Sequence, residues 1–212
     1  MNSFSTHEQS APVRQRFAGA WSQLGARLAP DFGELVQRYA EPHRAYHTLD
    51  HIHECLGWLG ASGQFAEHVF EVELALIYHD VVYEPLRADN EQRSAAFFRA
   101  HAQASRLPEQ SAERIAVLIE GTASHRTLHG DGALVNDIDL AVLGASPQAF
   151  ARYEQQIRAE FQHVSEPLFR AGREQVLRSF LQTLSIYSTP FFSQRLEAQA
   201  STYLSQAISA LR

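Results

Sequence analysis

Apolar residues fall three and four apart along most of this chain, and that spacing restricts it to helices. Val13, Phe17, Ala20, Trp21, Leu24 and Leu28 share one face of a helix predicted from Pro12 to about Leu28. Asp31 is placed to cap a second, through Leu35, Val36 and Tyr39, ended before Pro42. A third, from about Tyr46 to Leu59, carries Leu49, Ile52, Leu56 and Leu59, with Gly60 to Gly63 as a break. From about Phe65 to Asp80 the residues Val69, Phe70, Val72, Leu74, Ala75, Leu76 and Ile77 are apolar on more than one side, the mark of a central, buried helix. A loop, VVYEPLRADN, leads to a helix from about Glu91 to Ala104, and Pro108 opens another through Ile115, Leu118 and Ile119. Gly130 to Gly132 reads as a loop before NDIDLAVLG. Ser146 and Pro147 start a helix carrying Phe150, Tyr153, Ile157 and Phe161. Two further helices are predicted at about 171–187 and 190–211. The strand-like pieces VVY and ALV are too short to outvote about nine helices. The expected class is all-α, with residues 1–10 as a disordered N-terminus and 11–212 as one helical domain.

Composition narrows the function. A net charge of -6 with no basic cluster argues against a nucleic-acid partner. Cys55 is the single cysteine, which excludes a disulfide within the chain and a four-cysteine zinc site. No apolar run approaches the roughly 18 residues of a membrane span, and MNSFSTHEQS has no signal-peptide character, so the expectation is a cytoplasmic protein. Eleven histidines are the unusual count.

Three segments concentrate the chemistry. In RAYHTLDHI, His47 and His51 are four apart and would share a face if both were helical, as two metal ligands, as ligand and proton donor, or as plain surface histidines. In LALIYHDVVY, an apolar helix ends on His79 and Asp80, at a core boundary where burying unpaired polar groups costs several kcal/mol. A divalent ion would satisfy both, although neighbours about 100° apart on a helix chelate one ion only at a helix end or a distortion. A C-terminal cap plus a solvated carboxylate is the plainer alternative. In LVNDIDLAVLG, Asp137 and Asp139 sit among Val135, Ile138, Leu140 and Val142; one fits a metal ligand and the other a supporting role behind it, or a simple helix cap.

Taken in order, His51, then His79-Asp80, then Asp139, the chain resembles the HD superfamily of metal-dependent phosphohydrolases. Over Arg44 to about Leu181 it is similar to a bacterial family of predicted HD phosphohydrolases, through RAYHTLDHI, ALIYHDVVYEP, DNEQRSA, IEGTASH, NDIDLAVLG and AGREQVLRSFL. The resemblance implies an HD-type helical bundle with extra N- and C-terminal helices, and His51, His79, Asp80 and Asp139 as metal ligands. It places His47 where related cyclic-nucleotide phosphodiesterases have a proton-donating histidine, although Thr48 stands where their motif has Asn. Some HD proteins hold a second metal through extra histidines; here the first such position reads Asn90-Glu91, leaving Glu91 and His125 as the candidates. Arg44 is a candidate for binding a substrate phosphate, with Arg158 and Arg173 behind it. His101 reads as a surface residue, Cys55 as core, and the remaining histidines as structural or solvated.

The expected activity is hydrolysis of a small phosphorylated substrate, nucleotides included, by metal-activated water. Asp80 would accept the water proton, and His47 or His125 would protonate the leaving oxygen. The ion would be manganese, iron, cobalt, nickel, zinc or magnesium. The alternatives are a non-catalytic nucleotide-sensing module and an HD-type di-iron oxygenase.

Overall fold

The computed structural model describes residues 5–124 and 129–211. Among the described residues every regular element is helical: α1 (Ser5–Gln23), α2 (Phe32–Tyr39), α3 (Leu49–Ser62), α4 (Val69–Tyr78), α5 (Asn90–Ala104), α6 (Glu109–Gly121), α7 (Gly130–Asp139), α8 (Pro147–Glu160), α9 (Glu166–Leu181) and α10 (Pro190–Ala210), with 3₁₀ turns at Gly63–Phe65 and Leu140–Gly144. The all-α class is therefore as expected. Among the described residues no helix is long and apolar enough to cross a membrane.

The centre of the bundle is α4. Val72 and every residue from Leu74 to Tyr78 are fully buried, and α1, α3, α5, α6 and α7 all pack on this helix. Its two buried glutamates are neutralised from the surrounding helices, Glu71 by Arg114 and Glu73 by Arg16, so the apolar environment encloses no unpaired charge. On the other side, α10 packs against the Leu140–Gly144 turn and α9. Gly144 permits that approach, since a Cβ there would lie 2.6 Å from Leu196 Cβ and 2.7 Å from the Leu196 carbonyl oxygen.

Several boundaries differ from the sequence expectation, each for a local reason. α1 already runs through residues 5–10, where no element was expected; residues 1–4 lie outside the described residues. It stops at Gln23 rather than Leu28 because Gly25 takes a left-handed backbone (φ 79°) and the Ala26 N–H returns to the Trp21 carbonyl. Leu28 is consequently 76% exposed instead of sharing the apolar face. α3 begins at Leu49, not Tyr46, because the Thr48 hydroxyl caps the Asp50 N–H, and it passes through Gly60. Gly130 to Gly132 form the first turn of α7 rather than a loop, and α9 starts at Glu166, five residues early, with Pro167 in its first turn. The caps at Asp31 and Ser146 are as expected.

A candidate metal centre

The start of α3 and the ends of α4 and α7 meet at one point. His51 lies in the first turn of α3 on the face that carries Cys55 and Leu59 inward, and only 3% of it is exposed. His79 caps the C-terminus of α4 and is carried into the core by the buried run before it. His79 keeps helical dihedrals (φ -57°, ψ -36°) and its N–H still bonds the Ala75 carbonyl, so Asp80 follows at the very end of the helix, where its carboxylate comes within 2.9 Å of His79 Nε2. Asp139 closes α7 where it passes into the 3₁₀ turn.

The ligand atoms are close. His51 Nε2 lies 3.3 Å from His79 Nε2 and 3.1 Å from Asp139 Oδ1, and His79 Nε2 lies 3.3 Å from the same oxygen. Asp80 Oδ2 stands 2.9 Å from His79 Nε2 and 3.7 Å from His51 Nε2. His51, His79 and Asp139 thus form a group that could hold a metal ion, the one such group among the described residues. Ligands about 2.1 Å from a common ion are separated by roughly 3.0–3.4 Å, depending on its geometry, which matches these spacings.

The chemistry of the donors fits as well. His79 Nδ1 donates to the Leu76 carbonyl at 2.9 Å, which in the neutral ring leaves the Nε2 lone pair facing carboxylate oxygens. Lone pair against carboxylate is repulsive unless a cation sits between them. The titration directions express the same demand. Burial disfavours charge on His79, but Asp80 and Asp139 outweigh it and hold its pKa well above the ordinary value. Burial likewise opposes the Asp80 and Asp139 carboxylates, yet the imidazoles beside them keep both ionised far below the usual range. A divalent ion would supply the positive charge that protons otherwise provide.

His47 is not on a helix with His51; it lies in the loop before Thr48. What fixes it is Glu160, at the end of α8. One carboxylate oxygen of Glu160 accepts the backbone N–H groups of Ala45, Tyr46 and His47 at 2.8, 2.8 and 3.0 Å. The other takes His47 Nδ1–H at 2.7 Å and the Tyr83 hydroxyl at 2.8 Å. The Tyr83 ring stacks on the imidazole with centroids 4.0 Å apart. Burial opposes charge on His47, but Asp80, Glu160 and Asp139 together raise its pKa above the ordinary value. Burial also opposes the Glu160 carboxylate, yet its five donors bring it down to about 2.

Glu160 was not singled out from the sequence, although a signal existed. It continues the apolar stripe Phe150, Tyr153, Ile157, and a carboxylate on a buried face needs partners.

Other expected site residues take different roles. Arg44 is buried and its donors are already used: Nη1 reaches the Asp80 and His47 carbonyls at 2.7 and 3.0 Å, Nη2 the Val81 carbonyl at 3.1 Å, and Nε the Glu41 carboxylate at 3.0 Å. It holds the turn that aims Asp80 and is not displayed to a phosphate. Asp137 points away from the centre and accepts the Ser188 and Thr189 N–H groups and the Thr189 hydroxyl, anchoring the start of α10. Glu91 is half-buried in the first turn of α5 and does not belong to the cluster. His101 is not a surface residue; it binds the Tyr78 hydroxyl at 2.8 Å and Glu34 at 3.2 Å. Arg158 is spent on Glu166 and the Phe161 and Val164 carbonyls. His125 lies outside the described residues.

Three cavities touch the cluster, the smallest of them, about 250 Å³, only at His51. Of the two larger, one, of about 630 Å³, has His47 and Asp139 in its wall and extends between α8 and α9. The other, of about 490 Å³, touches His51, Cys55 and Asp139 between α3 and the Leu140–Gly144 turn. Comparison with protein-family models, with curated proteins and with solved structures found no match for this chain.

Proposed function

We propose that the chain is a metal-dependent phosphohydrolase of the HD type, acting on a phosphate ester or nucleotide. The observation that carries this is the convergence of His51, His79 and Asp139, with Asp80 beside them, where Asp139 enters the wall of a cavity that His47 also lines. His51, His79, Asp80 and Asp139 would hold the ion, and a nitrogen and oxygen donor set of this kind suits manganese, iron, cobalt, nickel or zinc better than calcium. When bound, the ion would lower the pKa of a water molecule and polarise a phosphoryl oxygen.

The remaining work falls to side chains. Glu160 pins His47 Nδ1, so Nε2 is the nitrogen left to carry a proton to the leaving oxygen. The Tyr83 ring limits the tilt of the imidazole, and the carboxylates of Asp80, Glu160 and Asp139 favour its protonated form. Asp80, beside His79, is the carboxylate placed to accept a proton from the attacking water. Arg44 keeps the Asp80 backbone where the side chain meets His79.

A di-iron oxygenase would need a second ligand set. Among the described residues no second cluster exists, and His101 is occupied by Tyr78 and Glu34. Metal analysis combined with a screen of phosphate monoesters, diesters and nucleotides tests the proposal. Purified protein should carry about one divalent ion per chain and turn over at least one class, and Asp80→Ala should lose both properties. Full metal content in Asp80→Ala would count against the ligand set, and a metal-loaded protein with no turnover would favour a sensing module.

A further inference from the structure

The cavity beside His47 is larger than a phosphate group requires, and its wall has a definite chemistry. Tyr83 from the loop after α4, Tyr153, Ile157 and Phe161 from α8 and its end, and Val176 and Phe180 from α9 surround about 630 Å³, within the range of small-molecule sites. Most of its polar groups are already bound within the protein. Ser179 Oγ donates to the Val176 carbonyl at 2.7 Å, and Thr183 Oγ1 to the Phe180 carbonyl at 2.6 Å. The Tyr83 hydroxyl is held by Glu160. Arg173, also in this wall, is paired with Glu154 and lies over the Tyr153 ring at 5.0 Å. Aromatic and aliphatic surface is the larger part of what the cavity offers to an occupant, with His47 and Asp139 in the same wall.

We propose that the leaving group of the substrate is a flat aromatic or bulky apolar ring system seated between α8 and α9. A glycerol or open sugar group would lose its water there without gaining enough hydrogen bonds in return, whereas a ring gains stacking and apolar burial. The second cavity is the weaker candidate because it touches His51 and Asp139 but not His47, and a leaving group must lie against the residue that protonates it. The inference rests on the hydrolytic reading for the identity of the ester, but its test does not depend on turnover.

Calorimetry on the manganese-loaded protein would compare two non-hydrolysable probes, 1-naphthylmethylphosphonate and methylphosphonate. The naphthyl compound should bind at least about tenfold more tightly, as burial of its ring implies. Val176 is 45% exposed, so Val176→Trp should fold normally while crowding the cavity. That variant should weaken the naphthyl probe by about tenfold and leave the methyl probe unchanged. Phe180→Ala, which removes a ring from the wall, should give the same selective loss. Equal affinity for the two probes, or a preference that survives both variants, overturns the proposal. Preferential binding with no turnover anywhere in the screen of monoesters, diesters and nucleotides upholds the cavity assignment and sinks the hydrolase instead.

Discussion

Replacing Glu160 by Gln should be the most informative single substitution outside the metal ligands. The side chain is buried, and its carboxyl pKa falls from the usual 4.5 to about 2. At about 1.4 kcal/mol per pKa unit, that depression corresponds to about 3 kcal/mol of folding stability. The sign follows from the direction. A depressed carboxyl pKa stabilises the fold above about pH 4.5, and the contribution disappears as pH falls towards 2. His47 behaves oppositely: its raised pKa contributes fully below about 6.5 and is lost as pH rises through the folded value. The charged pair therefore contributes most between about pH 4.5 and 6.5. Gln retains an acceptor for the three N–H groups of residues 45–47, but it presents an amide donor to His47 Nδ1–H and the Tyr83 hydroxyl. Urea denaturation at pH 6 should show Glu160→Gln less stable than wild type by about 2–3 kcal/mol, with the gap shrinking steadily between pH 4.5 and pH 3. In the same variant, the His47 imidazole should titrate at lower pH in an NMR experiment. A gap below about 0.5 kcal/mol at pH 6, or one that does not change with pH, would refute the assignment of this carboxylate as the anchor of the His47 loop.

Four further outcomes are expected. Stripping metal with a chelator should lower the melting temperature of wild type, and saturating manganese at about 100 times Kd should return about 2.7 kcal/mol; His79→Ala should show neither response. Arg44→Lys should destabilise by about 2–4 kcal/mol and weaken metal binding, because an ammonium cannot reach the carbonyls of His47, Asp80 and Val81 from one position; unchanged metal affinity would separate Arg44 from the turn that carries Asp80. Asp137→Ala should cost about 1–3 kcal/mol in denaturation while leaving metal content intact, since its carboxylate serves the start of α10. Gly144→Ala should cost about 1–3 kcal/mol by forcing α10 off the Leu140–Gly144 turn, and a melting temperature equal to wild type would show that the approach to Leu196 is looser than described.

The helical class was legible in the sequence because the period of a buried stripe is a local property. Phe17, Trp21, Leu35, Ile52, Leu56, Val72 and the run from Leu74 to Ile77 are all buried where their spacing places them, while Phe70 at the start of α4 stays exposed. His79, Asp80, Asp137 and Asp139 stood out as polar residues at the edge of or within apolar segments, but it was the resemblance to the HD pattern that selected His51, His79, Asp80 and Asp139, and the structure brings those four side chains together. Helix ends were less visible, since a cap such as Thr48 or a left-handed residue such as Gly25 acts on one turn and leaves the periodicity unbroken. The supporting roles were decided only by packing. Arg44 and Asp137 carry the charge that suggests phosphate or metal, but neighbours up to about fifty positions away bind them first. Glu160 reaches His47 across 113 positions, a contact that no local pattern records. Periodicity tells which face of a helix turns inward; which partner meets a charged group there depends on how the other helices close around it.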